Sequence, residues 1–231
     1  MNENWLDVLR GEIIVSCQAE GCDPFNVPEY VALFAQAAMM GGAKGIRTEG
    51  IEKIKAIKRV VNLPIIGLLK TSFPDGSVRI TGSFSEVEEL LSVGCDIVSI
   101  DGTSRFRDGY IAGADFIREV KKRYGCTVMA DISTYEEGLA CAEAGADCLS
   151  TTLSGYTPYT QSESGLPDVE LVRRLVHAVT IPVFAEGRIN TPELARTMLD
   201  NGAWSVVVGT AITRPRVITQ WFVKMLKNNE I

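Results

Sequence analysis

Short apolar runs alternate along the chain with longer stretches whose apolar residues recur every three or four positions, and the alternation repeats eight times. The runs fall at residues 13–17, 45–46, 65–69, 97–100, 127–130, 148–150, 181–185 and 205–208. They are apolar at consecutive positions, as strands buried on both faces are. The stretches between them, among them 29–39, 51–60, 86–91, 111–124 and 134–144, read as amphipathic helices. Four helices end in a Gly-Ala or Gly-Cys pair that leads into the next run: Gly42-Ala43, Gly94-Cys95, Gly145-Ala146 and Gly202-Ala203, at steps of about fifty residues. Strand alternating with helix demands a parallel sheet, and eight such units predict a (β/α)8 TIM barrel whose chemistry sits beyond the C-terminal ends of the strands. Residues 2–10 read as a short helix capping the barrel floor, Thr191-Pro192-Glu193 as a helix start, and Ser133 to Glu137 as a capping sequence.

The length of 231 residues is near that of such barrels, about 250, and no Pro/Ser/Gly-rich linker divides the chain, so one domain over 1–231 is expected. The net charge of −6, with no Lys/Arg stripe, argues against nucleic-acid or acidic-membrane partners. No signal-like start or apolar span is visible, which makes a soluble cytoplasmic protein the expectation. Six cysteines form no C-x-x-C pair and several lie inside strand runs, so they are expected as reduced thiols. The one histidine, His177, sits within a helical pattern away from any strand end, which leaves no basis for a histidine metal centre or triad. No metal site is expected from these residues. No residue pattern specifies an oligomeric state; a homo-oligomer, specifically a dimer, is the expectation.

The first polar group after each run gives Gln18, Arg47, Lys70, Asp101, Asp131, Thr151 or Thr152, Glu186, and Gly209-Thr210. An amine, an arginine and several carboxylates around one mouth suit acid/base chemistry on an anionic, hydroxyl-rich molecule. Glu186-Gly187-Arg188 and Gly209-Thr210 place glycines after the last two strands, where barrels of the phosphate-binding type hold phosphate, and Arg214 can add a charge-assisted contact. The stretches at 61–66 and 179–184 are similar and lie four units apart, so Lys70 and Glu186 are expected to face one another, with the barrel walls desolvating the lysine. A lysine there also suits a Schiff-base aldolase, and a sugar-phosphate receptor without turnover would keep the same pocket.

The segments Met129-Ala130-Asp131-Ile132-Ser133-Thr134, Thr151-Thr152-Leu153-Ser154-Gly155-Tyr156-Thr157, Ala185-Glu186-Gly187-Arg188-Ile189-Asn190-Thr191-Pro192 and Val208-Gly209-Thr210-Ala211-Ile212-Thr213-Arg214-Pro215 resemble the N-acetylmannosamine-6-phosphate 2-epimerases. The resemblance begins near Ser16-Cys17-Gln18-Ala19 and runs through the last helix. It implies a cofactor-free isomerase of amino sugar phosphates in sialic acid catabolism. It further implies Lys70 and Glu186 as the catalytic pair, Gln18, Arg47, Asp131 and Arg214 as substrate-holding residues, and Gly187, Arg188, Gly209 and Thr210 around the phosphate. The chain departs from the pattern at Thr71-Ser72-Phe73 and at Gly102, which follows Asp101 where alanine is usual.

Overall fold

The computed structural model describes residues 5–73, 77–107 and 111–227. Among the described residues ten strands are formed: β1 (Ile13–Ser16), β2 (Gly45–Glu49), β3 (Ile65–Leu68), β4 (Lys70–Ser72), β5 (Val78–Ile80), β6 (Ile97–Asp101), β7 (Val128–Asp131), β8 (Cys148–Ser150), β9 (Val183–Glu186) and β10 (Ser205–Val208). Eight of them close a parallel barrel in the order β1-β2-β3-β6-β7-β8-β9-β10, with Ile14 of β1 opposite Val207 of β10 at the seam. The helices are α1 (Trp5–Val8), α2 (Pro28–Met40), α3 (Ile51–Lys58), α4 (Phe84–Ser92), α5 (Gly113–Tyr124), α6 (Tyr135–Glu143), α7 (Val169–Ala178), α8 (Pro192–Asp200), α9 (Thr210–Thr213) and α10 (Pro215–Lys227). The (β/α)8 architecture is therefore the one the pattern predicts. Two elements differ from the sequence expectation. The third strand stops at Leu68, and Lys70 opens an antiparallel hairpin, β4 with β5, that rises from the barrel rim. The N-terminal helix covers Trp5–Val8 rather than 2–10, with residues 2–4 outside the described set.

The predicted caps form as their side chains require. Thr134 accepts from the Glu137 N–H at 3.2 Å while the Glu137 carboxylate accepts from the Thr134 N–H at 3.1 Å, and Thr191 accepts from the Leu194 N–H ahead of α8. At the other ends, Gly42, Gly94, Gly145 and Gly202 adopt φ of 98°, 71°, 93° and 92°. The N–H that follows each of them, on Ala43, Cys95, Ala146 or Ala203, donates to a carbonyl five residues back at 3.0–3.1 Å. This closing bond buries the residue after the glycine, which explains why that residue is small and apolar each time.

Inside the barrel the side chains change character within one pleat. Ile14, Ile66, Ile97, Met129, Cys148, Phe184 and Val207 form a buried plug with Leu9, and Trp5, Leu6 and Trp204 pack against it from below. Two residues further along the same strands stand Ser16, Leu68, Ser99, Asp131, Ser150, Glu186 and Gly209. The interior is thus an apolar base under a polar layer, and the polar layer faces the mouth.

Candidate active site

A cavity of about 660 Å³ opens at the C-terminal ends of the strands, and Gln18, Arg47, Lys70, Thr152, Glu186 and Arg214 are among the residues that line it. Lys70 follows β3 and Glu186 ends β9, four strands apart around the closed barrel, and both line this cavity.

Arg47 forms the base. Its side chain is fully buried, Nη2 donates to Asp131 Oδ2 at 2.7 Å, Nη1 lies 3.3 Å from the Met129 sulfur, and Nε lies 3.4 Å from Glu186 Oε1 without a hydrogen bond. Burial works against its charge, yet Asp131 and then Glu186 hold the guanidinium above the usual arginine range. Asp131 also accepts from Ser99 Oγ at 2.6 Å and from Thr152 Oγ1 at 2.6 Å. Glu186 Oε2 accepts from Thr152 Oγ1 at 2.9 Å and from Ser150 Oγ at 3.1 Å. Burial pushes the Glu186 carboxyl above the usual carboxylate range and Asp131 adds to that push, against the pull of Arg47 and the two hydroxyls.

Lys70 is placed differently from the sequence expectation. Its side chain is 30% exposed and pairs with Glu20, so the barrel walls do not desolvate it; the hairpin lifts it to the rim. Glu20 also accepts from Arg214 Nη2 at 3.1 Å. Burial alone would raise the Glu20 carboxyl, but Lys70 and then Arg214 hold it below its ordinary value. Gln18 donates to Ser16 Oγ at 2.9 Å, and its carbonyl accepts from Arg214 Nε at 3.3 Å.

Around the rim, Gly187 has φ of 100°, which favours glycine and bends the chain away from β9. Gly209 precedes the short helix α9, and Gly187, Gly209 and Thr210 all line the cavity. Arg188 also lines it, but its guanidinium is committed to the carbonyls of Ser154 at 2.9 Å and Leu166 at 2.7 Å. It braces the loop after β8. Of the threonine pair left open by the sequence, Thr152 reaches the carboxylates while Thr151 bonds the Glu186 backbone. Asp101 is fully buried and bonds Thr103 and Arg105, so it shapes a loop beside the cavity. Gly102 lies in the packing, where a Cβ would meet the Cys141 sulfur at 2.7 Å. Sequence reasoning missed Ser99, Ser150 and Glu20.

His177 is exposed on α7, its Nδ1 2.7 Å from the Arg173 carbonyl. All six cysteines are free, and burial pushes the thiols of Cys17, Cys95 and Cys141 up to about 12, which keeps them uncharged and inert at neutral pH. Among the described residues no helix is long and apolar enough to cross a membrane.

The family described as "Putative N-acetylmannosamine-6-phosphate epimerase" matches residues 31–228. The chain belongs to this family. A relative from Clostridioides difficile, named "Putative N-acetylmannosamine-6-phosphate 2-epimerase", is 46% identical over 97% of this chain and all of its own length. The solved N-acetylmannosamine-6-phosphate 2-epimerase from Clostridium perfringens superposes with a TM-score of 0.91 at 44% identity, covering 97% of each chain. The thiamine phosphate pyrophosphorylase of Pyrococcus furiosus, at 20% identity and a TM-score of 0.62 over 97% of this chain and 98% of its own, shares the fold alone.

Proposed function

We propose that this protein interconverts N-acetylmannosamine 6-phosphate and N-acetylglucosamine 6-phosphate by moving the proton at C2. The observation that carries the reading is the pair Lys70, on the rim beyond β3, and Glu186, at the end of β9 four strands away, both lining one cavity in a chain of the epimerase family. Inverting C2 requires removing its proton, which is acidic only in the open-chain aldehyde, where the resulting enolate delocalises onto the C1 oxygen. The ring therefore opens first. Lys70 and Glu186 serve the two faces of the planar enolate, one taking the proton and the other returning one. Arg47 has a buried Nε–H without an acceptor at the cavity base, suited to the oxygen on which charge develops. Arg214, with the backbone at Gly187, Arg188, Gly209 and Thr210, grips the phosphate and holds C2 in register with binding energy remote from the reaction. Gln18 lines the cavity and completes the substrate-facing set, while Asp131, fully buried and outside the cavity lining, acts by holding Arg47.

The test is proton NMR of N-acetylmannosamine 6-phosphate in D2O. The wild type is expected to place deuterium at C2, and Lys70→Ala or Glu186→Gln to slow this by about 10²–10⁴-fold. Turnover without label at C2 would refute the reading.

The same reading places the enzyme in the cytoplasm, which six free cysteines support. It also makes the assembly a homodimer. None of the residues of α10 is buried, and Phe222, Met225 and Leu226 are each about two-thirds or more exposed. A mostly apolar groove of about 520 Å³, lined by Ile13, Ala195, Leu199, Val206, Val208 and Ile212, lies open beside β10 and β1. The occupant proposed for this groove is α10 of a second copy, which buries both apolar faces at once.

A further inference from the structure

Four contacts tie two hydroxyls to two carboxylates at the cavity base: Ser150 Oγ to Thr152 Oγ1 at 2.8 Å, Ser150 Oγ to Glu186 Oε2 at 3.1 Å, Thr152 Oγ1 to Glu186 Oε2 at 2.9 Å, and Thr152 Oγ1 to Asp131 Oδ1 at 2.6 Å. The two hydroxyls own one proton each, so with both carboxylates ionised only two of the four contacts are hydrogen bonds at any instant. Adding one proton to Glu186 changes the count. Glu186 then donates to Ser150, Ser150 to Thr152, and Thr152 to Asp131, a file of three bonds each with its own proton and the same heavy-atom positions. Asp131 serves as an acceptor in the file through Oδ1, while its Oδ2 accepts from Arg47 and Ser99.

We propose that Ser150 and Thr152 are positioning residues that turn with the proton load of Glu186: both donate to it when it is ionised, and when it is protonated Ser150 accepts from it and donates to Thr152, which turns to Asp131. No covalent bond breaks in either hydroxyl; each proton turns about its C–O bond, and the only proton that changes owner is the one passed between Glu186 and the sugar. Both charge states of Glu186 are thereby solvated without rearranging the site, which is what a group that must both take and return a proton requires. Burial of Ser150 and Asp131 keeps water from doing the same work. The inference rests on the role proposed above for Glu186. The charged groups that face this carboxyl are Arg47 from β2 and Asp131 from β7, while Lys70, Arg105, Arg188, Arg214 and Glu20 surround the same cavity.

The test compares Thr152→Val, Thr152→Ser and Ser150→Ala with wild type by pH profiles of kcat and kcat/KM for N-acetylmannosamine 6-phosphate. Thr152→Val is expected to lower kcat by roughly ten- to a hundredfold with KM within a few-fold. It should also move the limb that tracks Glu186 to higher pH, because the ionised carboxylate loses a donor. Ser150→Ala is expected to move that limb in the same direction, and Thr152→Ser, which keeps the hydroxyl, to restore the wild-type profile. A Thr152→Ser profile that matches Thr152→Val, or Ser150→Ala and Thr152→Val profiles that match wild type, would overturn the relay. Should Thr152→Val fail to fold, Ser150→Ala and Thr152→Ser decide on their own. Failure of the underlying reading shows separately, as full C2 exchange retained in Glu186→Gln.

Discussion

Arg47 lies in an interior where an unpaired charge costs several kcal/mol, and it is sustained by one full hydrogen bond to Asp131 and a looser approach to Glu186. The balance at Glu186 is the less favourable one, since its carboxyl is raised by burial. A carboxyl whose folded-state value is raised stabilises the fold only while protonated; above that value the wild type bears the cost of a buried negative charge. Glu186→Gln is therefore expected to raise the thermal midpoint by a few degrees at pH 7.5 while slowing turnover, with the gain shrinking as pH falls through the raised carboxyl's range. A midpoint that falls at pH 7.5 would show that the contact with Arg47 outweighs burial. Much of this site was legible: the first polar residue after each apolar run found Arg47, Lys70, Asp131 and Glu186. Ser99 and Ser150 were not found because a small hydroxyl inside an apolar run looks like any other strand residue. The two-residue period gives the missing signal, since each stands two positions after a plug residue, Ile97 and Cys148. Glu20 escaped because it lies beyond the strand end, and its partners come from 50 and 194 residues away.

The glycine joints between helix and strand are the elements the sequence announced most clearly, because the left-handed turn demands one residue type and the closing bond demands a small apolar successor. Two of them separate backbone cost from packing cost. At Gly145 a Cβ would meet only Lys121 Cγ at 3.8 Å, whereas at Gly202 it would meet Val176 Cγ1 at 2.9 Å. Gly145→Ala is expected to lose about 1–2 kcal/mol, the cost of a left-handed alanine, and Gly202→Ala more, as read by urea unfolding midpoints. Equal losses would mean that Val176 gives way freely. The β4–β5 hairpin was illegible for a complementary reason. Its strands are three residues each and Lys70 and Thr71 are polar, so the Pro74-Asp75-Gly76 turn signal in the sequence between them has no apolar runs on either side to mark as a hairpin. What that concealed was the true position of Lys70, on a rim element rather than a barrel wall.

At the scale of the whole molecule, the eight-unit count set the barrel and the four-strand separation of Lys70 from Glu186, but it could not say where the last helix packs. A helix pattern specifies an apolar face and not the surface that covers it. Light scattering after size exclusion is expected to give twice the chain mass, and Phe222→Asp with Leu226→Asp to give the single chain mass. A wild-type protein of single chain mass would remove the dimer. The apolar plug has a consequence of a different kind. With Leu9 and Phe184 filling the lower barrel, the chamber has a solid base, and among the described residues it opens at the C-terminal ends of the strands. Reactant and product must pass the same threshold in turn, so each epimer competes directly with the other, and accumulating product throttles the enzyme with no second site involved.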